Sequence, residues 1–82
     1  MNRIRVLFFA TLRPRVGTRE IELEVPETLD VRGLRQRLAG EYPDLQSSLG
    51  TVLVSINREY AFEEALIPLN AEIALFPPVS GG

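Results

Sequence analysis

The sequence predicts an α+β domain in which one helix crosses a four-stranded sheet, and three patterns carry that reading. Glu20-Ile21-Glu22-Leu23-Glu24-Val25 alternates acid and apolar residues with the period of a strand. Val31, Leu34, Leu38 and Tyr42 recur at the spacing of one helix face. Apolar runs toward either end, Arg3 to Phe9 and Glu72 to Phe76, supply strands that the helix can cover.

In chain order, Arg3 to Phe9 alternates and then becomes continuously apolar, which suits a central strand. Arg13-Pro14-Arg15-Val16-Gly17-Thr18 predicts a chain reversal, because Pro and Gly lie about a turn apart. The Glu20 to Val25 strand follows, with its acids facing water near a wet sheet edge, and Pro26 ends it. Asp30 offers a carboxylate cap to a helix that starts at Val31 and ends near Gly40, with Pro43 beyond. Arg32, Arg35, Arg37 and Glu41 fall off the apolar stripe and read as a solvated face. Gly33 costs about 1 kcal/mol relative to Ala inside a helix, which leaves close packing or simple tolerance as its explanation. Asp44 to Leu49 reads as a short helical turn closed by Gly50. Val52, Val54 and Ile56 alternate with Leu53, Ser55 and Asn57 as a third strand. Arg58 to Leu66 is mixed, Pro68 and Asn70 mark a turn, and Glu72 to Phe76 forms the last strand. A sheet covered by one helix leaves its other face open, and Leu7, Phe9, Leu53 and Phe76 are placed to form an apolar partner surface there.

At 82 residues the chain has room for a single hydrophobic core. Its 45% apolar and 24% charged residues and formal net charge of -2 are those of an ordinary folded domain. The nine basic residues are all Arg, and Cys, His and Lys are absent. That excludes a thiolate nucleophile, an imidazole base, a Schiff-base amine, a disulfide framework and a Cys or His metal site. Asp44, Glu63, Glu64 and the other carboxylates have no spacing that suits general acid–base work, so surface solvation accounts for them. The weakly acidic balance argues against nucleic acid, and the longest apolar run falls far short of the ~20 residues of a membrane span. With no signal segment either, a cytoplasmic setting is expected.

The carboxyl end carries the clearest functional signal. Pro77 and Pro78 cannot extend the ladder of the preceding strand, and they bias the chain toward extended geometry. Residues 1–76 therefore form the body and 77–82 a tail. Six residues at about 3.3 Å each reach on the order of 20 Å, enough to enter another protein's active site. Gly81 and Gly82 have no Cβ, so they can thread a narrow channel and bring the terminal carboxylate close to a reactant. A carboxylate with a pKa near 3.5 is ionised and weakly electrophilic, so it needs activation, most simply as an acyl-adenylate made by an ATP-using partner. With Gly at about 7% of residues, a Gly-Gly end arises by chance at roughly 0.5%.

Val6-Leu7-Phe8-Phe9-Ala10 with Arg13 and Gly17, the Leu34-Arg35 helix, Val54-Ser55-Ile56-Asn57 and the Phe76 to Gly82 end together resemble the ubiquitin-like sulfur-carrier family, and most closely its molybdopterin synthase small-subunit branch. The resemblance spans essentially the whole chain. It implies a β-grasp fold: a mixed sheet, one principal helix packed on one face, and a flexible C-terminal tail. It also implies that Gly82 is adenylated by a ubiquitin-activating-type adenylyltransferase, converted to a thiocarboxylate by a sulfur donor system, and inserted into the large synthase subunit in a heterotetramer. Two such transfers convert cyclic pyranopterin monophosphate into the molybdopterin dithiolene. On this reading no cofactor is stably bound, ATP is used by the activating partner, and catalytic side chains belong to the large subunit. Phe9 and Phe76 match partner-contacting positions, and Pro77, Pro78, Val79 and Ser80 lead Gly81 and Gly82 into the partner. Asn70-Ala71-Glu72 departs from the family's frequent Gly-Asp-Glu. Asn tolerates the left-handed conformation, so the turn should survive, whereas a polar contact from the missing acid is lost. Leu75 likewise replaces a frequent Phe.

The same carboxylate chemistry would serve thiamin thiazole or tRNA thiolation. Pro77-Pro78-Val79 favours the molybdopterin branch, because thiamin carriers usually lack the double proline. A ubiquitin-like protein modifier is the alternative from another class. Arg13, Arg15 and Arg58 are available to acidic partner surfaces.

Overall fold

The computed structural model describes residues 1–78. Its elements are β1 (Asn2–Phe8), α1 (Leu12–Val16), β2 (Glu20–Val25), α2 (Val31–Glu41), a 3-10 turn (Pro43–Leu45), α3 (Gln46–Leu49), β3 (Leu53–Ile56), β4 (Glu59–Tyr60) and β5 (Glu72–Phe76). The strands form one five-stranded mixed sheet in the order β2-β1-β5-β3-β4, with β1 and β5 parallel at its centre and every other neighbouring pair antiparallel. One principal helix, α2, covers one face, as the β-grasp expectation requires.

Strand periodicity sorts the side chains. Ile4, Val6 and Phe8 of β1, Leu23 and Val25 of β2, Val54 of β3 and Ile73 and Leu75 of β5 join Val31, Leu34 and Leu38 of α2 in the core. Burying each of these large side chains contributes about 1.5–3 kcal/mol, so this face holds the fold together. Tyr42 extends the helix stripe and meets Phe8 edge to face, with ring centroids 6.1 Å apart.

The start of α2 is fully capped. The Gly33 amide donates to Asp30 Oδ1 at 2.8 Å, the Val31 amide to the Ala65 carbonyl at 3.1 Å, and the Arg32 amide to the Glu63 carbonyl at 3.1 Å. The helix N-terminus thus has its free amides committed to the chain itself. Gly33 is there for close packing: a Cβ would lie 2.6 Å from Leu29 Cδ1. α2 runs one residue past Gly40, and Tyr42 closes it by donating to the Leu38 carbonyl at 2.8 Å.

The expected reversal after β1 contains a helix. α1 accommodates Pro14 because it sits in the first turn, where an amide has no intrahelical acceptor. Gly17, at φ 90°, then ends it in the left-handed conformation. Arg35 also departs from a solvated face: its side chain is only 19% exposed, its Nε donates to Glu63 at 2.8 Å, and its guanidinium also reaches the Leu49 carbonyl. It ties α2 to α3 and to the 61–70 segment. Asn70 takes the left-handed conformation at φ 58°, and Ala71 is buried in the core.

Candidate functional site

The sheet face opposite α2 divides into a charged half and an apolar half. Across the first, Arg3 pairs with Glu24 at 3.0 Å and Glu22 at 4.0 Å, while Arg5 pairs with Glu72 at 3.0 Å and Glu20 at 3.6 Å. These pairs are solvent-exposed and worth little individually, and with four glutamates to two arginines this half stays acidic. Toward the carboxyl ends of β1 and β5 the same face becomes apolar. A cavity of about 390 Å³ opens there, lined by Leu7, Phe9, Ser55, Arg58, Tyr60, Glu72, Ala74 and Phe76.

Register explains the lining. Leu7 stands beside Ala74, Ala74 beside Ser55, and Ser55 beside Tyr60 in successive strands, so one row of side chains floors the cavity. Ser55 shares the open face yet is only 6% exposed, because it lies at the bottom of the hollow. Phe9 follows β1, and its ring stacks on Phe76 with centroids 4.6 Å apart and an interplanar angle of 16°. Tyr60 meets Phe76 edge to face at 6.5 Å. Ala10, at φ 52°, turns the chain immediately after Phe9. Arg13 braces that corner: its Nε donates to the Phe8 carbonyl at 2.9 Å, and its guanidinium carbon lies 5.6 Å from the Phe9 ring centre.

The predicted site residues Phe9 and Phe76 come together, with Leu7 beside them; Leu53 shares the face, opposite Phe76 in register. Pro77 and Pro78 follow directly from the stacked pair. Val79, Ser80, Gly81 and Gly82 lie outside the described residues. Tyr60 is not evident from the sequence, because β4 is only two residues long and has no periodicity to reveal it. What creates β4 is the hairpin before it. Ile56 pairs with Glu59, leaving Asn57 and Arg58 as a two-residue turn at φ 50° and 72°. Asn57 fastens this turn to β5: its amide donates to the Glu72 carbonyl at 2.8 Å, and its Oδ1 accepts from the Glu72 amide at 2.9 Å.

A turn of this kind favours Asn followed by Gly, so Arg58 occupies a glycine position. The left-handed conformation costs an L-residue about 1–2 kcal/mol, whereas the added freedom of an unfolded Gly costs up to about 1 kcal/mol. Arg58→Gly should therefore stabilise the fold by roughly 0.5–1 kcal/mol, read as a higher urea midpoint at unchanged slope. A lower midpoint would show that the side chain outweighs the backbone.

Among the described residues no group of His, Cys, Asp and Glu is arranged to hold a metal ion. The site is a largely apolar hollow at the root of the carboxyl end. Residues 6–82 match the model of the ThiS family. The chain belongs to the ThiS family. A Caenorhabditis elegans relative named molybdopterin synthase sulfur carrier subunit is 36% identical over 84 residues, covering 100% of both chains. The crystal structure of SAMP1 from Haloferax volcanii superposes with a TM-score of 0.86 at 29% identity, covering 99% of this chain and 100% of that one. A chain of the Helicobacter pylori complex of subunits 1 and 2 of molybdopterin-converting factor shares the fold, with a TM-score of 0.71, 23% identity and coverage of 98% and 99%. The fold is thus that of a ubiquitin-like β-grasp family member.

Proposed function

We propose that this chain is the sulfur-carrier subunit of a molybdopterin synthase. The carrying observation is the Phe9–Phe76 stack and its adjoining cavity at the point where Pro77 and Pro78 lead toward Gly82, in a chain with full-length likeness to relatives of that name. The apolar face docks a large subunit, and the C-terminal residues deliver the reactive group into it. The Helicobacter pylori two-subunit complex supports such a partner.

The chemistry resides in the Gly82 carboxylate. An ATP-using adenylyltransferase joins this carboxylate to AMP and releases pyrophosphate. Sulfide-level sulfur from a donor system attacks the acyl carbon, and the C–O bond to AMP breaks, leaving a thiocarboxylate. In the large subunit that sulfur bonds to a carbon of cyclic pyranopterin monophosphate in place of an oxygen substituent, and water then cleaves the acyl C–S bond, so the carrier returns as a carboxylate. Two carriers are needed for the dithiolene. ATP serves the activating partner, the assembly is a heterotetramer, and the setting is cytoplasmic. Among the described residues no helix is long and apolar enough to cross a membrane.

Two measurements test the proposal. The chain isolated from cells should co-purify with a large subunit, and its intact mass should rise by the difference between sulfur and oxygen. Phe9→Ala should weaken the complex by about thirtyfold or more, as loss of a central aromatic anchor does, with an unchanged circular dichroism spectrum. Wild-type binding by Phe9→Ala would remove this face from the interface. The likeness to SAMP1, a small archaeal modifier protein, supports a second reading in which Gly82 is joined to other proteins. An isopeptide-linked remnant of this chain on cellular proteins would favour that reading.

A further inference from the structure

We infer that Arg58 is a specificity determinant of the docking face, taking a carboxylate from a partner segment whose apolar side chain fills the neighbouring cavity. The inference rests on the carrier reading and adds to it the charge pattern of the partner.

Three observations converge on Arg58. It lines the same cavity as Phe9, Tyr60 and Phe76. Its backbone sits at φ 72°, where glycine is the favoured residue, so the position is costly to fill with a side chain. Its side chain is 86% exposed, and its recorded ion pair is a long one, with Nε 3.5 Å from Glu72 Oε1. That carboxylate is already held by Arg5 at 3.0 Å. Most of the Arg58 guanidinium fork therefore faces solvent, in the planar geometry that grips a carboxylate through two parallel hydrogen bonds.

Four of the other arginines are engaged within the fold. Arg13 bonds the Phe8 carbonyl and covers Phe9, Arg15 bonds Ser48 at 2.6 Å, and Arg3 and Arg5 each have two glutamates. Position adds a reason. Arg58 packs against Glu72 at the start of β5, while the Phe9–Phe76 stack lies at its end, about 13 Å along the strand. An apolar anchor at one end and a charge at the other fix the direction in which a partner segment lies. Two apolar contacts alone would leave that direction open.

The experiment measures association of the full chain with the molybdopterin synthase large subunit of the same organism, across a salt series. Arg58→Gln keeps the strained turn and removes only the charge. It should weaken binding about tenfold at low salt and flatten the salt dependence. Arg58→Gly should also bind about tenfold more weakly while melting no lower than wild type, a combination that a merely structural role for the residue would not produce. If the wild-type chain binds and Arg58→Gln matches it within twofold at every salt concentration, Arg58 takes no partner carboxylate. If the wild-type chain itself fails to bind, the carrier reading falls and this inference falls with it.

Discussion

Removing Gly82 should abolish sulfur transfer and leave the fold intact. The chain has no Cys, His or Lys, so no side chain can replace the lost terminal carboxylate as a sulfur acceptor or nucleophile. Truncation does leave a carboxylate on Gly81, but it ends the chain about 3.5 Å short. A misplacement of about 1 Å can already cost roughly a hundredfold in rate, so a whole-residue shortfall should take transfer below detection. Stability should not follow, because the core residues run from Ile4 to Leu75 and none is removed. The check pairs a thermal melt of the truncated chain with a single-turnover assay using the activating enzyme, a sulfur donor and the large subunit. Product formation by the truncated chain at the wild-type rate would show that the terminal group is not the carrier.

A large effect on stability should come from a residue with no part in that chemistry. Asn2 is 1% exposed, and its amide closes the segment that leads into β5. Its Nδ2 donates to the Pro68 carbonyl at 2.9 Å and the Ile67 carbonyl at 3.3 Å, while its Oδ1 accepts from the Asn70 amide at 2.8 Å. Asn2→Ala removes all three partners at once. Each buried group left unsatisfied costs about 1–3 kcal/mol, and water can reach part of this segment because Leu69 is exposed. A net loss of about 3 kcal/mol is expected, against a total stability of roughly 5–15 kcal/mol for a domain. For a chain of this size that lowers the melting temperature by about 12–24 °C. Asn2→Asp sharpens the test. It keeps the acceptor for Asn70 but turns a carboxylate oxygen toward two carbonyls, so it should destabilise the fold at least as much at neutral pH. A melting temperature within a few degrees of wild type for either variant would show that the clamp is worth little.

The candidate site divides according to how local its causes are. Phe9 and Phe76 were legible because each sits at the end of an apolar strand where alternation assigns it to the face away from the helix. Their mutual stacking was not legible, since it depends on β1 and β5 lying parallel and adjacent although more than 60 residues separate them. Tyr60 could not be placed from its own surroundings, because Glu59-Tyr60 becomes a strand only when the Asn57-Arg58 turn folds it back on β3. The Asn-first turn was a weak signal for that hairpin, obscured by Arg where Gly is usual. Arg35 is the opposite case: its helical position is polar-facing, but the 61–70 segment passes over it and supplies Glu63.

By itself, then, the sequence determined what depends on neighbours along the chain. The Glu20–Val25 strand, the Asp30 cap, the helix stripe, the left-handed Asn70 and the exit through Pro77 and Pro78 all follow from local sterics and periodicity, and the lack of Cys, His and Lys directs attention to the carboxyl end. Only the tertiary structure decided what depends on segments far apart in the chain. It converted Gly33 from a tolerated residue into a packing requirement against Leu29, turned Asn2 into a clamp on residues 67–70, committed Arg13 to the fold and left Arg58 facing outward beside an apolar cavity. Side-chain burial and pairing are properties of the assembled sheet, and residue type alone does not fix them.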